Sequence, residues 1–297
     1  MVLAGLDLGG TKCAAVLAQV QGDETKFLCR KEVPTVGDWR SITDALLAYL
    51  AHERTARGVE IAACGISCGG PLDGQRGVIL RPPNLLSFSN VAIVDYVQEK
   101  LGVPAKLQND ADACALAEWK FGAGRGTRNM IFLTFGTGLG AGLILDGKLY
   151  TGARNLAGEV GHMRLKAEGP LGYGKRGSWE GFCSGGGIRA QILQHFGEDF
   201  DARELQVRAE QGDEKAVALY HEIGANFGRG LAVLVDLLNP ELIVAGSIFA
   251  RAHSLLYDAA MQALREEALP ESLEGFRLRP AQLGNQIGDY AAVAIAI

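Results

Sequence analysis

The sequence predicts an α/β fold that contains a duplicated unit. Apolar segments of strand length alternate with segments of helical periodicity over residues 2–121, and this alternation is typical of α/β domains. An order of strand, glycine turn with a threonine, and strand occurs at 3–17 and recurs at 130–145. The length of 297 residues accommodates two domains, since a domain has roughly 100–200 residues.

The opening residues predict three strands. Short apolar segments are separated by turns at Gly9-Gly10 and Gly22-Asp23. Glycine and aspartate between apolar segments are typical of turns that join neighbouring strands. The predicted strands are Val2–Asp7, Cys13–Val20 and Lys26–Val33.

Helices and shorter strands follow in the first half. Leu46, Leu47 and Leu50 recur at helical spacing, and Asn90 stands where a helix N-cap is expected. Residues 68–90 are rich in Gly, Pro and Asn, which predicts a long loop. The predicted helices are Ser41–Arg54, Val91–Leu101 and Ala111–Phe121, and the predicted strands are Ile61–Ser67 and Ala105–Gln108.

The second half repeats the opening order. The turn Gly136-Thr137-Gly138 lies between two apolar segments, and Asp146-Gly147 ends the second of them. Long apolar stretches near the C-terminus have helical character. The predicted strands are Met130–Phe135, Ala141–Leu145 and Leu242–Ala245, and helices are predicted within Asp213–Leu238 and over Gly288–Ile297.

Composition excludes several classes of protein. The net charge of −5 argues against nucleic-acid binding, because phosphates must be neutralised by basic residues. No apolar stretch reaches the ~20 residues of a membrane span, and the first residues lack the basic region of a signal peptide. We therefore expect neither nucleic acid nor a membrane as a partner.

The cysteines indicate a reducing compartment. Six cysteines are present, without a C-x-x-C pair, and most stand in apolar segments. Such residues are typical of reduced core positions. We expect a cytoplasmic protein without disulfides.

Glycine is unusually frequent. The chain has 40 glycines in 297 residues, about 13%, against a usual ~7%. The glycines show no three-residue period, which excludes a collagen helix. The excess predicts loops in which the backbone lies close to another group.

The first glycine turn has the composition of a phosphate-binding loop. Two predicted strands flank the residues Asp-Leu-Gly-Gly-Thr-Lys at 7–12. Glycines allow backbone N–H groups to approach a phosphate, and the side chains of Thr11 and Lys12 can add donors. Asp7 could hold Mg²⁺ through water, because Mg²⁺ favours carboxylates and water as ligands. An ordinary hairpin turn fits this segment equally well.

The second glycine turn contains a dinucleotide-binding pattern. Residues 136–141 match G-x-G-x-x-A, but that fingerprint requires a helix whose N-terminus binds the pyrophosphate. An apolar strand follows here instead. The segment therefore favours a second phosphate-binding hairpin over a dehydrogenase site.

A third glycine segment matches the nucleophile elbow of serine hydrolases. Residues 65–69 read G-x-S-x-G, which requires a strand, a sharp turn and a helix. The strand is predicted, but the residues Gly-Pro-Leu-Asp-Gly at 70–74 disfavour the helix. We expect this loop to line a ligand site rather than present a nucleophile.

A polar segment marks the junction between a predicted strand and the helix Ala111–Phe121. Asp110 stands near the helix N-terminus, where a carboxylate is favoured. Asn109 fits the N-cap position. A plain helix cap accounts for both residues without any catalytic role, so this segment alone leaves its function open.

A second polar segment, 152–162, contains an acid and a histidine. Glu159 and His162 are three residues apart, which suits two metal ligands or two partners for the hydroxyls of one sugar. An ordinary surface segment is the third interpretation.

Together the motifs closely resemble those of the ROK family (repressors, open reading frames, sugar kinases). Loops at 70–73 and 83–85 also resemble loops of that family, so the resemblance covers essentially the whole chain. Order and strand context match in the segments Asp7–Thr11, Asn109–Ala111, Gly136–Gly140 and Gly158–His162.

The resemblance implies an actin-like ATPase (ribonuclease H-like) fold. Two duplicated α/β domains would flank a cleft that holds nucleotide and hexose. The N-terminal domain would comprise residues 1–112, with a C-terminal helix at 286–297 packing back on it. The C-terminal domain would comprise residues 113–285. Family resemblance also implies a homodimer or a homotetramer.

The implied activity is transfer of the γ-phosphoryl group of ATP to a hydroxyl of glucose or a related hexose. Asp110 would be the general base that takes the hydroxyl proton, in a reaction that depends mainly on positioning and charge. Asp7 would hold Mg²⁺ through water. Contacts with ATP are implied for Gly9, Gly10, Thr11, Lys12, Thr137, Gly138, Gly246 and Ser247, and contacts with sugar for Gly70, Asn84, Asn109, Asp110, Glu159, His162 and Glu180.

One segment departs from the family pattern. Many members carry a zinc motif, C-x-C-G-x-x-G-C-x-E, after the histidine, and here Gly174, Gly177 and Glu180 keep its frame. Since thiolates are the zinc ligands, we predict no zinc site and expect other packing, by Tyr173 and Trp179, to hold the loop. The three cysteine positions are occupied by Leu171, Tyr173 and Ser178.

Other functions of the family remain as alternatives. Repressors carry a DNA-binding domain before the first phosphate motif, which begins at Asp7 here, so we expect no DNA binding. A non-catalytic sugar sensor is expected to lack the base or a phosphate loop, yet both Asp7 and Asp110 are present. Glucose is the first candidate substrate and N-acetylmannosamine the second; N-acetylglucosamine, fructose and allose are also used within the family.

Overall fold

The predicted alternation of strands and helices is present in the computed structural model, which describes residues 1–22 and 24–297. The chain forms two compact units. The first comprises Met1–Gly126, Leu149–Ala157 and Gln282–Ile297, and the second Thr127–Lys148 and Gly158–Ala281. The assignment of domains to 1–112 and 113–285 stays a prediction.

Fifteen strands are present in the described residues. Of the predicted turn at 22–23, Asp23 lies outside these residues. The strands are β1 (Val2–Leu8), β2 (Lys12–Gln21), β3 (Glu24–Pro34), β4 (Ile61–Cys68), β5 (Leu72–Asp73), β6 (Val78–Ile79), β7 (Val91–Ala92), β8 (Ala105–Asn109), β9 (Met130–Phe135), β10 (Leu139–Leu145), β11 (Lys148–Tyr150), β12 (Leu171–Gly172), β13 (Lys175–Arg176), β14 (Leu242–Ala245) and β15 (Arg277–Pro280).

Ten α-helices occur in the same part of the chain. None of these described helices is both long and apolar enough to cross a membrane. They are α1 (Trp39–Arg57), α2 (Ile93–Leu101), α3 (Asp110–Phe121), α4 (Trp179–Phe182), α5 (Gly185–Phe196), α6 (Ala202–Glu210), α7 (Glu214–Leu238), α8 (Ser247–Arg251), α9 (His253–Glu267) and α10 (Ile287–Ala296); short 3-10 helices lie at Leu86–Phe88, Val160–His162, Pro270–Leu273 and Gly284–Gln286.

The two large sheets share one topology. Their strand orders are β3-β2-β1-β4-β8 and β11-β10-β9-β14-β15. In each, the first strand forms an antiparallel hairpin with the second, and parallel strands continue on its other side. The repeat in the sequence therefore corresponds to a repeat in the structure, which confirms the predicted duplication.

The predicted cap at Asn90 and the predicted loop at 68–90 are wrong in detail. Asn90 adopts a positive φ of 58°, and its N–H donates to the Leu80 carbonyl at 2.6 Å. Strand β7 follows it, so α2 begins only at Ile93. Residues 68–90 contain β5 and β6, which form a small sheet of order β5-β6-β7 with the strand that follows, and strands of two residues are too short to show a sequence period.

Helix α10 lies directly on the first sheet because two strands lack side chains there. A Cβ atom added at Gly65 of β4 would overlap the Ala292 carbonyl oxygen. One added at Gly5 of β1 would lie 2.8 Å from Ala292 Cβ. Apolar residues of α3 and α10 pack together on this face, while α1 and α2 contribute to a separate core cluster.

Glu118 of α3 is a fully buried carboxylate that no sequence motif marks. Its Oε1 accepts hydrogen bonds from the N–H groups of Gln282 and Leu283, at 2.8 and 2.9 Å. Its Oε2 accepts one from Ala123 N–H at 2.8 Å. These bonds compensate the burial of the carboxylate and join α3 to the segment that precedes α10.

We expect Glu118→Ala to lower the free energy of unfolding by about 3 kcal/mol, because three N–H groups would lose their acceptor and each such loss costs ~1–3 kcal/mol. Urea denaturation measures the change. Glu118→Gln is the matched control: its amide oxygen can still accept from Gln282 and Leu283, so its loss should be smaller. Wild-type stability of Glu118→Ala would contradict this role.

Candidate active site

A pocket of about 270 Å³ lies in the first unit. It is located where β1, β4 and β8 end and α3 begins, which is the side of a parallel sheet where ligands commonly bind. Residues Gly69 and Pro82–Leu85 supply further walls. Six predicted site residues line the pocket: Asp7, Gly9, Gly10, Gly70, Asn84 and Asp110.

Asp7 is held between β4 and α10. Its carboxylate is hydrogen-bonded to the side chain of Ser67, and a Cβ atom added at Gly288 would lie 2.6 Å from its Oδ2. Burial, followed by the nearby carboxylates of Asp289 and Asp110, raises the pKa of Asp7 to about 6. A carboxylate that is costly to ionise alone gains from a neighbouring cation.

Ser67 does not stand at a nucleophile elbow. It is buried within β4 and 2% exposed. Strand β5, rather than a helix, follows β4. Its side chain instead supports Asp7, which lines the pocket.

A row of charged side chains continues from Asp7 along the hairpin. Arg30 Nε donates to both carboxylate oxygens of Asp289, at 3.1 and 2.9 Å. Glu32 forms ion pairs of 2.9 Å with Arg30 and with Lys12. The Lys12 ammonium is therefore directed to Glu32 here. No sequence motif identified Arg30, Glu32 or Asp289. The one available signal was Asp289 itself, an acidic residue within the otherwise apolar stretch 288–297.

Asp110 is the first residue of α3 and is exposed to the pocket. Its Oδ1 accepts a hydrogen bond from Ala111 N–H at 2.8 Å. The positive end of the helix favours a carboxylate at this position. Asn109 accepts from the same N–H at 2.9 Å, which confirms it as the N-cap.

The two glycine turns of this pocket lie against polar residues. A Cβ atom added at Gly10 would overlap the Asn84 carbonyl oxygen, and one at Gly70 would lie 3.2 Å from Asn109 Nδ2. The approach at Gly10 requires the absence of a side chain because the neighbouring atom belongs to the backbone, whereas at Gly70 the Asn109 side chain would need to shift only slightly. Thr11 and Lys12, at the far side of the turn, are exposed.

The second unit gathers another group of predicted residues around the turn 136–138. Gly136 N–H donates to the Gly138 carbonyl at 3.1 Å, and Gly185 N–H donates to the Gly136 carbonyl at 2.7 Å. Ser247 adopts a φ of 49° and lies 3.4 Å from a Cβ atom added at Gly136. Ser247 thus lies next to this turn, Gly246 N–H donates to the Leu133 carbonyl of β9 at 2.9 Å, and Thr137 is exposed on the turn.

One predicted sugar ligand of the second unit, Glu180, lies beside the same turn, and the segment that contains the other two bonds to β10. Glu180 Oε2 accepts a hydrogen bond from Leu139 N–H at 3.0 Å. Gly158 O accepts one from Ala141 N–H at 2.8 Å. Glu159 and His162, on either end of the segment that follows, are exposed.

The segment that replaces the zinc motif is a short hairpin of β12 and β13. Ser178 Oγ accepts from Gly181 N–H at 3.1 Å and lies 3.3 Å from the Gly172 carbonyl. Trp179 is fully buried, with its ring 5.7 Å from that of Phe227. Tyr173 is 77% exposed and contacts the His162 ring edge-on at 5.1 Å. Trp179 therefore anchors the loop, and Tyr173 supports the histidine.

We expect zinc chelation to leave the melting temperature unchanged, because protein contacts rather than a zinc ion hold this segment. Among the described residues, no group of three or more His, Cys, Asp or Glu side chains could hold a metal ion. Calorimetry before and after dialysis against dipicolinate measures the effect. A lower melting temperature that zinc restores would contradict the prediction.

Two sheets of one topology, each with a glycine turn between its first two strands, define the class of the protein as an actin-like ATPase fold. The model of the ROK family matches residues 3–297. The chain belongs to the ROK family.

Named relatives specify the group of enzymes to which the chain is similar. Glucokinase of Streptomyces coelicolor is 33% identical over 98% of this chain and 96% of its own length. N-acetylmannosamine kinase of Shigella flexneri is 33% identical over 90% of each chain. A ROK family glucokinase from Streptomyces griseus, solved in complex with glucose and AMPPNP, is 30% identical with a TM-score of 0.78, covering 100% of this chain and 99% of its own. The chain is a sugar phosphotransferase.

Proposed function

We propose that the protein transfers the γ-phosphoryl group of ATP to a hydroxyl of glucose or a closely related hexose. The observation that carries this proposal is the pocket in which Asp110, at the start of α3, lies beside Asp7 and two glycine turns. The relative from S. griseus, whose complex holds glucose and an ATP analogue, supports the choice of both substrates.

Asp110 acts as the general base. It is exposed to the pocket, and its position at a helix N-terminus favours the ionised form that accepts a proton. As the sugar hydroxyl oxygen attacks the γ-phosphorus, its proton passes to the Asp110 carboxylate and the bond to the β-phosphate oxygen breaks. Phosphoryl transfer needs little more from the protein than positioning and charge stabilisation.

Asp7 fits a role in holding Mg²⁺ through water. Mg²⁺ is commonly bound by one or two carboxylates together with substrate phosphates, so a single buried carboxylate is sufficient. Asp7 is costly to ionise alone, and a cation would offset that cost. When bound, the ion neutralises charge on the transferring phosphoryl group.

The remaining predicted contacts with ATP lie mainly at the glycine turns 9–10 and 136–138. Backbone N–H groups at a glycine turn can surround a phosphate. Sugar hydroxyls require polar partners, and a site built for each hydroxyl discriminates against analogues that lack one. We assign ATP to Gly9, Gly10, Thr11, Lys12, Thr137, Gly138, Gly246 and Ser247, and sugar to Gly70, Asn84, Asn109, Asp110, Glu159, His162 and Glu180.

N-acetylmannosamine is the second candidate substrate. The Shigella kinase for that sugar is as identical to this chain as the Streptomyces coelicolor glucokinase, at 33%, although over fewer residues. A coupled assay of ADP release over a panel of hexoses and N-acetylhexosamines separates the two. We expect the highest kcat/KM with glucose. A maximum with N-acetylmannosamine selects the alternative, and no release with any sugar contradicts both.

We further place the reaction in the cytoplasm and assign a homodimer or homotetramer. The six free cysteines fit a reducing compartment. The oligomeric state rests on the family resemblance, and light scattering on the purified protein measures it.

A further inference from the structure

Next to the glycine turn, the outer edge of β10 bonds to Glu180, a predicted sugar ligand, and to Gly158, the residue before the predicted sugar ligand Glu159. Leu139 and Ala141 both direct their N–H groups away from β9. Glu180 Oε2 accepts the first at 3.0 Å, and the Gly158 carbonyl accepts the second at 2.8 Å. The glycine turn at 136–138, which is assigned to ATP, therefore leads directly into β10. The edge of β10 in turn bonds to Glu180 and Gly158.

The Glu180 carboxylate touches the turn itself. A Cβ atom added at Gly138 would lie 2.8 Å from Glu180 Oε2. One added at Gly161, next to His162, would lie 3.2 Å from Glu180 Cβ and would overlap the Leu139 carbonyl oxygen. Glu180 thus stands between the turn and the segment that ends at His162.

The backbone at Glu180 is held by contacts of its neighbours. Ser178 caps α4 through Gly181 N–H, and Trp179, the residue before Glu180, is fully buried. Trp179 N–H also donates to the Met163 carbonyl at 2.8 Å. A short helix with a buried anchor on one side and a cap on the other holds the glutamate backbone in place.

The two carboxylate oxygens of Glu180 are used unequally. Oε2 accepts from Leu139 N–H, whereas no described residue forms a hydrogen bond with Oε1. An ionised carboxylate can accept several hydrogen bonds. One oxygen is therefore engaged with the strand next to the turn, and the other is available for a sugar hydroxyl.

In the first unit, too, a glycine turn lies close to a predicted sugar ligand. Gly10 of its glycine turn lies against Asn84, another predicted sugar ligand. The contact between turn and sugar residue is thus present in both copies of the duplicated unit, although the residues that make it are unrelated in sequence.

We propose that Glu180 is a positioning residue for the nucleotide as well as a sugar ligand. By accepting the hydrogen bond from Leu139 N–H, it sets the geometry of the Thr137-Gly138 turn. Through this bond it couples sugar occupancy to nucleotide affinity. This inference rests on the proposed function. Its distinguishing consequence is an effect of Glu180 on nucleotide binding when no sugar is present, which a residue that only binds sugar would not show.

The test is calorimetric titration of AMPPNP into the full-length protein without sugar. We expect Glu180→Ala to weaken binding about fivefold, a factor typical of the net loss of one hydrogen bond. Glu180→Gln, whose amide oxygen can still accept from Leu139 N–H, should recover most of the affinity. His162→Ala is the matched control. It removes a predicted sugar ligand whose side chain forms no hydrogen bond with β10 in the described part of the chain, so it should lower sugar affinity alone.

Hydrogen exchange of the Leu139 amide is the second measurement, and it requires no activity. We expect faster exchange in Glu180→Ala than in the wild type or in Glu180→Gln. Wild-type AMPPNP affinity together with wild-type exchange in Glu180→Ala would overturn the inference. Failure of the wild-type protein to bind AMPPNP at all would instead overturn the proposed function, so the two failures are distinguishable.

Discussion

Replacement of Asp110 by Asn is expected to lower kcat by about 10²–10⁴-fold, the usual contribution of a general base, while the affinity for sugar changes little. The amide cannot take the hydroxyl proton. Its oxygen can still accept the hydrogen bond that Asp110 Oδ1 receives from Ala111 N–H, so the helix start should be preserved. Steady-state kinetics measures kcat, and calorimetry measures the dissociation constant of the sugar.

Asp95→Asn is the matched control for this experiment. Asp95 also stands in the first turn of a helix, α2, but is exposed and outside the pocket. We expect it to keep wild-type turnover. Turnover of Asp110→Asn within a fewfold of the wild type would refute the role of Asp110 as the base.

Replacement of Asp7 by Asn is expected to stabilise the metal-free protein at pH 8 and at the same time to impair the kinase reaction. Burial and two neighbouring carboxylates raise the pKa of Asp7 from 3.8 to about 6. Ionised Asp7 therefore costs the folded state on the order of 2–3 kcal/mol at that pH, because a tenfold change in a proton-binding constant corresponds to about 1.4 kcal/mol. A neutral amide avoids this cost but is a poorer partner for a cation.

The sign of the pH dependence follows from linkage. Between pH 3.8 and about 6 the folded wild type binds the proton that the unfolded chain releases, so this carboxyl favours unfolding increasingly as the pH rises. The advantage of Asp7→Asn should thus be full above pH 6 and should disappear as the pH falls towards 4.

Urea denaturation in EDTA at pH 8, 6 and 5 measures this difference. Asp95→Asn again serves as the control, with no comparable pH-dependent gain expected. A variant at Asp7 that is less stable than the wild type at pH 8 would contradict the assigned cost of ionisation. We also expect that a high concentration of Mg²⁺ does not restore the ATP turnover of Asp7→Asn, since the amide lacks the negative charge of the carboxylate.

Local signals were sufficient for much of the fold. Strands β1 and β2 appear as apolar segments on either side of a glycine turn, and Asn109 has the residue type and position of a cap. These features depend on neighbours within a few residues, so they are visible in a single chain. The prediction of a helix cap at Asn90 was wrong because the residues that follow it form β7, which pairs with β6. That pairing depends on residues 78–79.

Sequence alone determined the duplicated α/β plan and the two glycine turns, because both depend on local composition and spacing, while the candidate ligands came from the resemblance to the ROK family. Tertiary structure alone decided how these ligands are supported: Gly288 against Asp7, Arg30 against Asp289, and Glu180 on Leu139. The partners in these pairs are 41 to 281 residues apart in the chain. Such contacts depend on how sheets and helices pack, so no local pattern encodes them.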